Sequence, residues 1–193
     1  VADYILKHTP GSTVSNLSST KALRDITEKS GNKYFASAVG EVNVVEMMKA
    51  SNAIIGGEGN GGIIYPELHY GRDALVGIAL FLSHLAAYGK TISMLRASYP
   101  NYFISKNKVE LTPELNVDEV LERITKKYER QPINTIDGVK IEFENSWVHL
   151  RKSNTEPIIR IYAEAENMST ADSLATKIIS DIKELSSEMM IKH

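Results

Sequence analysis

"IIGGEGNGGII", residues 54–64, decides what kind of α/β protein this chain can be. Gly57, Gly59 and Gly62 fit the G-x-G-x-x-G spacing of a dinucleotide-binding turn. In such a turn the last glycine opens a helix whose N-terminus holds the pyrophosphate. Here Gly62 leads into "IIYPE", an extended run stopped by Pro66, and the next helical pattern begins only near Arg72. Glu58 also puts a negative charge where the pyrophosphate would sit. The dinucleotide reading therefore fails on its context. Two readings remain. The stretch is a tight glycine turn with a solvent-facing Glu58, or its glycines let a ligand approach the backbone closely. In the second case Glu58 accepts hydroxyl protons and Asn60 both donates and accepts, chemistry that reads polyols such as sugars.

Outward from this stretch, strand and helix patterns alternate. "STVSNLS" (12–18), "KYFASAV" (33–39) and "AIIGG" (53–57) read as strands. "STKALRDITEKSG" (19–31) carries a Ser/Thr start and a terminal Gly31, and "NVVEMMKAS" (43–51) reads as a short helix. A long helix is expected from about Arg72 and another from Thr91 to Ser98, stopped by Pro100. This predicts an α/β layer with a mainly parallel sheet.

After "VELTPEL" the pattern changes, which places a domain boundary near Leu111: residues 1–111, then 112–193. Asn116 with Glu119 has the spacing of a capping box. Val117, Val120, Leu121, Ile124 and Tyr128 follow as one apolar stripe. "GVKIEFEN", "WVHLR" and "IIRIYAEAE" alternate apolar and polar residues. A final helix from Ser169 carries Ala171, Leu174, Ile178, Ile182, Leu185 and Met189 on one face. This second part reads as a small α+β domain whose antiparallel sheet has one wet face.

Composition narrows the classes of function. The 193 residues are 42% hydrophobic and 24% charged, with formal net charge −2 and pI about 6.2. A nucleic-acid surface would show a basic excess, so no nucleic-acid partner is expected. There are no cysteines, which excludes disulfides and thiolate metal sites and agrees with a cytoplasmic location. The most apolar run, "ALVGIALFLSHLAAY" (74–88), is shorter than a membrane span of roughly 20 residues, so a buried helix is expected and no membrane association. The chain opens on Val1, and "VADYILKHTPG" reads like the tail of an amphipathic helix, the expectation being a piece of a longer protein.

"RKSNTEPIIR", residues 151–160, is the other stretch that points to chemistry. Ser153 and Glu156 have capping-box spacing, but Pro157 and an alternating run follow, so no helix does. Arg151, Ser153, Asn154, Thr155 and Arg160 thus gather two guanidinium groups, two hydroxyls and an amide around one strand-to-strand loop. Such a set suits a phosphate; a plain polar hairpin is the alternative.

The two stretches together, "GGEGNGG" and then "RKSNTEPIIR" about ninety residues later, resemble the sugar-binding loop (G-E-x-S-G-H) and the phosphate-binding loop (R-x-S-N-T-x-P) of the α-D-phosphohexomutases, a family that includes phosphoglucosamine mutases and phosphomannomutase/phosphoglucomutases. "TVSNLSSTKAL" and "VGEVNVVEMM" also resemble family segments, and the "SNL" form leans toward the phosphoglucosamine branch. The resemblance implies most of domain three and all of domain four of a four-domain enzyme, domain four being similar to the TATA-binding-protein fold. It implies that Glu58, Gly59 and Asn60 bind the sugar of a hexose phosphate, and that Arg151, Ser153, Asn154, Thr155 and Arg160 hold its phosphate. The family's phosphoserine loop and its Mg²⁺ loop, D-G-D-x-D-R, are not found here. No catalytic or metal-binding residue is therefore expected in this chain, and the missing N-terminal domains are its expected partners. A noncatalytic sugar-phosphate-binding protein is the alternative. Departures are Asn60 where many relatives carry Ser and Gly62 where many carry His. His69, Glu67, Arg72, Asp73, His84 and Trp147 are read as structural, with Arg72 and Asp73 starting the long helix. Glu41 is weighed as a ligand and set aside.

Overall fold

The computed structural model describes residues 1–110, 115–153 and 158–191. The chain divides into two compact units, Val1–Asn101 and Tyr102–His193.

The first unit is a layered α/β structure. Strands β1 (Thr13–Asn16), β2 (Tyr34–Ser37) and β3 (Ile55–Gly57) are parallel with β1 in the middle, and β4 (Ile63–Ile64) adds antiparallel to β3. Helices α1 (Ala2–His8), α2 (Ala22–Lys29), α3 (Glu41–Ser51), α4 (Ala74–Tyr88) and α5 (Ile92–Ala97) complete the unit. β1 is buried along its whole length, as a strand covered on both faces must be. Its Val14 packs with Val44, Met48, Ala53 and Ile64. Its polar Thr13 is satisfied by Thr27 on α2, hydroxyl to hydroxyl at 2.7 Å, which removes the penalty for burying it.

α4 departs from expectation. Only Gly77 and His84 are buried, while Leu75 is 79%, Ile78 54% and Leu82 55% exposed. These three lie on one face at helical spacing. A helix that is apolar all round carries no sign of which side will be covered. Asp73 caps it as expected, accepting from the Val76 backbone N–H at 3.0 Å. His84 is satisfied in the interior by the Tyr99 hydroxyl at 2.7 Å. Among the described residues no helix is long and apolar enough to cross a membrane.

The second unit is an antiparallel sheet. β5 (Phe103–Glu110), β6 (Ile133–Asn134), β7 (Val139–Glu142), β8 (Trp147–Lys152) and β9 (Ile158–Ala165) lie in the order β5-β9-β8-β7-β6. α6 (Val117–Lys127) and α7 (Met168–Ile191) pack on one face. Val120, Leu121 and Ile124 of α6 and Ile178 and Ile182 of α7 meet Ile141, Val148, Leu150, Ile159 and Ile161 of the sheet, as the apolar stripes predict. β5 was not anticipated. It pairs with β9 over its full length, so the second unit begins at Tyr102 rather than near Leu111.

Two local expectations are corrected. Asn116 caps α6 by accepting from Asp118 N–H at 3.0 Å, but Glu119 pairs with Arg123 one turn on, at 2.8 Å, so the reciprocal half of the box is not formed. The second face of the sheet is not simply wet either. Lys140, Trp147, His149 and Glu164 are all buried. Trp147 Nε1 donates to Glu164 Oε1 at 2.8 Å, and Lys140 Nζ lies 4.1 Å from the Trp147 ring. Long polar side chains here cover one another across neighbouring strands.

Candidate functional site

The glycine stretch forms the turn from β3 into β4. Glu58 N–H donates to the Gly62 carbonyl and Gly61 N–H to the Glu58 carbonyl, both at 3.0 Å. Gly61 sits at φ +97°, and a Cβ on Gly57 would lie 2.2 Å from the Gly62 carbonyl oxygen. A side chain at 57 thus collides with backbone, and one at 61 is strained. Asn60 is exposed; its Oδ1 accepts from Gly62 N–H at 3.1 Å, so its amide N–H₂ is the part left for a ligand. A Cβ on Gly59 would touch Ser19 at 3.4 Å. A cavity of about 210 Å³ borders Gly57, Glu58, Gly59 and Gly62, with Leu23, Ile55 and Ile63 in its wall.

Glu58 is held rather than free in solvent. Its Oε1 accepts from Asn16 Nδ2 at 2.9 Å and from Gly40 N–H at 3.3 Å. Its Oε2 is 3.8 Å from Arg72 Nη1, and its side chain is only 7% exposed. Arg72 is gripped from the other side by Glu41: backbone N–H to Oε1 at 2.9 Å and Nε to Oε2 at 2.7 Å. The Arg72 backbone and side-chain hydrogen bonds hold the Glu41 carboxyl below its usual range. One carboxylate of the turn is thus fixed by residues from the end of β1, the start of α3 and the approach to α4. Asn16, Gly40 and Arg72 went unrecognised in the sequence. The polar "SNL" after a buried strand was a signal for Asn16; nothing in the sequence pointed to Arg72, which was read only as part of a helix start.

Among the described residues no three His, Asp or Glu stand together as a metal-binding group, and Arg72 stands between Glu41 and Glu58. His69 is paired with Asp73 at 3.1 Å and Glu67 with Tyr65 at 2.7 Å.

In the second unit the β8–β9 hairpin brings Arg151 and Arg160 directly opposite each other, and Lys108 of β5 stands opposite Arg160 on the other side. Three cations therefore form a row across one face of the sheet. Like charges placed opposite one another destabilise a sheet; here carboxylates offset part of that repulsion, Lys108 Nζ donating to Glu110 Oε1 at 3.0 Å. Arg151 is held by Asp137, Nε lying 3.2 Å from Oδ1 and 3.1 Å from Oδ2. Asp137 sits in the turn before β7, next to Gly138 at φ +69°, where a Cβ would lie 2.1 Å from the Leu150 carbonyl. That close approach presses the turn onto β8. His149 Nε2 is 2.6 Å from the Asp137 carbonyl; burial first, then Lys140 and Arg151 nearby, lower its pKa against the opposing Asp137 contact, which keeps the ring neutral. Ser153 N–H donates to the Ile158 carbonyl at 3.0 Å and closes the hairpin. Asn154 and Thr155 lie outside the described residues. Asp137 was missed in the sequence, where "DG" reads only as a turn.

Comparison with known proteins places both units in one family. Residues 1–102 match the family model "Phosphoglucomutase/phosphomannomutase, alpha/beta/alpha domain III", and residues 107–180 match "Phosphoglucomutase/phosphomannomutase, C-terminal domain". A phosphoglucomutase/phosphomannomutase of Thermococcus kodakarensis is 38% identical over 86% of this chain and 37% of its own length. A phosphoglucosamine/phosphogalactosamine mutase of Sulfurisphaera tokodaii is 36% identical over 86% of this chain and 37% of its own. The chain thus spans well under half the length of these relatives. Among solved structures, a phosphoglucomutase/phosphomannomutase family protein from Burkholderia thailandensis superimposes with TM-score 0.73 over 96% of this chain and 39% of its own, at 20% identity, a likeness of fold alone. With both units matched in order by models of successive domains, the chain belongs to the phosphoglucomutase/phosphomannomutase family.

Proposed function

We propose that this chain is the sugar-phosphate-binding part of a phosphohexomutase that interconverts hexose 6-phosphate and hexose 1-phosphate through a phosphoserine and a bisphosphorylated sugar. The row Arg151–Arg160–Lys108, with Arg151 held by Asp137 and Lys108 paired with Glu110, carries the reading: strand register sets three cations side by side, which suits an anion. It suits the phosphate that is not being transferred. Glu58 and Asn60 suit ring hydroxyls, which present similar donors and acceptors in either orientation of the sugar. One fixed phosphate socket and one tolerant hydroxyl clamp are what a reaction at both ends of a hexose needs. Holding the remote phosphate positions the reacting oxygen.

The curated relatives named above act, by their names, on glucosamine, galactosamine, glucose and mannose phosphates. Glucosamine phosphate is the favoured substrate, on the "SNL" form, and glucose or mannose phosphate the alternative. The phosphoserine and the Mg²⁺, whose charge would stabilise the transferring phosphoryl group, belong to other parts of the full-length enzyme. By itself the 193-residue chain binds and does not turn over.

Calorimetric titration of the chain with glucosamine 6-phosphate, glucose 1-phosphate and inorganic phosphate tests this. Binding of all three is expected, weakened about thirtyfold by Arg151→Ala, the effect of losing one charge-assisted bidentate contact. Unchanged affinity in Arg151→Ala would sink the phosphate assignment.

A further inference from the structure

Gly62 has no side chain, and Arg72 fills the volume one would need. A Cβ on Gly62 would lie 2.6 Å from Arg72 Cδ and 3.1 Å from Cγ. The guanidinium is anchored on one side only: Glu41 takes the Nε donor at 2.7 Å, while the Arg72 side chain stays 48% exposed. On the other side Nη1 is 3.8 Å from Glu58 Oε2, too long for a hydrogen bond. Glu58 and Arg72 are close enough to balance charge and too far apart to satisfy each other.

This spacing has a chemical reading. A carboxylate only accepts and a guanidinium only donates, whereas a hydroxyl does both. Two adjacent ring hydroxyls, one donating to Glu58 Oε2 and one accepting from Arg72 Nη, complete both groups. The same pairing offsets the repulsion that Glu58 alone would exert on a phosphorylated ligand. We propose that Arg72 is a substrate-binding residue of the glycine turn, donating to a ring hydroxyl of the hexose phosphate beside the one that Glu58 accepts from. The inference rests on the reading of the chain as a hexose-phosphate binder.

Calorimetry on the 193-residue chain separates the two. Arg72→Ala is expected to weaken glucosamine 6-phosphate and glucose 6-phosphate about tenfold and to leave inorganic phosphate unchanged, with Arg72→Lys in between. In a series of 2-, 3- and 4-deoxyglucose 6-phosphates, the analogue that lacks the contacted hydroxyl should bind wild type and Arg72→Ala alike. Unchanged hexose-phosphate affinity in Arg72→Ala overturns the inference and leaves the proposed function standing. So does an equal loss of all ligands, inorganic phosphate included, or a penalty that persists with every deoxy analogue. A wild-type chain that binds inorganic phosphate but no hexose phosphate overturns both.

Discussion

The glycine turn and the β8–β9 hairpin solve opposite problems. The turn collects its chemistry from far along the chain: Asn16, Gly40 and Arg72 converge on Glu58, Glu41 holds Arg72, and opposite charges are set against each other. The hairpin takes both arginines from one ten-residue stretch and sets like charges side by side. In the turn, backbone geometry is the constraint and the side chains follow it. In the hairpin, strand register does the aligning and one outside group, Asp137, steadies one arginine. Under the proposed function the first arrangement suits a hydroxyl clamp, which calls for balanced donors and acceptors, and the second an anion socket, in which cations outnumber the carboxylates Asp137 and Glu110 that pair with them.

The comparison is broken most severely at Gly57. Gly57→Ala drives a Cβ into the Gly62 carbonyl and should cost about 3 kcal/mol. The loss should appear as faster hydrogen exchange in β3 and β4, while the fluorescence of Trp147, the chain's single tryptophan, keeps reporting an intact second unit. If β3 and β4 stay protected in this variant, the turn is not set by backbone approach. Arg151→Ala should be the largest single loss in the hairpin's anion affinity, as above.

Asp137→Asn sharpens the contrast at smaller scale. It keeps the size of the side chain and removes the charge that holds Arg151. Because Arg151 is 30% exposed, the pair is partly screened, and inorganic phosphate should bind about threefold more weakly. An unchanged value would mean that strand register alone places the arginine.

The smallest expected effect is a slope with pH. His149 is buried and its pKa is lowered in the folded state, so below about pH 6.5 the unfolded chain takes up a proton that the folded chain refuses. Stability of the second unit should therefore fall as pH drops from about 6.5 toward the folded pKa, and level off below it. Denaturant titrations followed by Trp147 fluorescence between pH 7.5 and 5 should show this, with His149→Gln flatter. Equal slopes in the two proteins would remove His149 as the source.

Much of the second unit was legible in the sequence because a sheet with helices on one face writes its pattern with period two. Ile159, Ile161 and Ala163 were placed in the core by alternation alone, and the α7 stripe by helical spacing. β5 was not seen: "FISKNKVE" alternates weakly, and its partner β9 lies some fifty residues further along. The buried Lys140, His149 and Glu164 were not seen either, since polarity signals solvent unless a cross-strand partner is known. In the first unit the parallel strands and the glycine turn were readable, but α4's exposed face was not.

The sequence by itself determined the order of the main elements except β5, the two sheet types, the failure of the dinucleotide reading and the presence of Arg151 and Arg160 on one hairpin. All of these follow from local spacing, because side-chain direction repeats along helix and strand. Only the tertiary structure decided that Arg72 stands where a side chain at Gly62 would be, that Asn16 and Gly40 fix Glu58, and that Asp137 holds Arg151. Those contacts join residues 10 to 42 positions apart, and no local period encodes which distant loops a compact sheet will bring together.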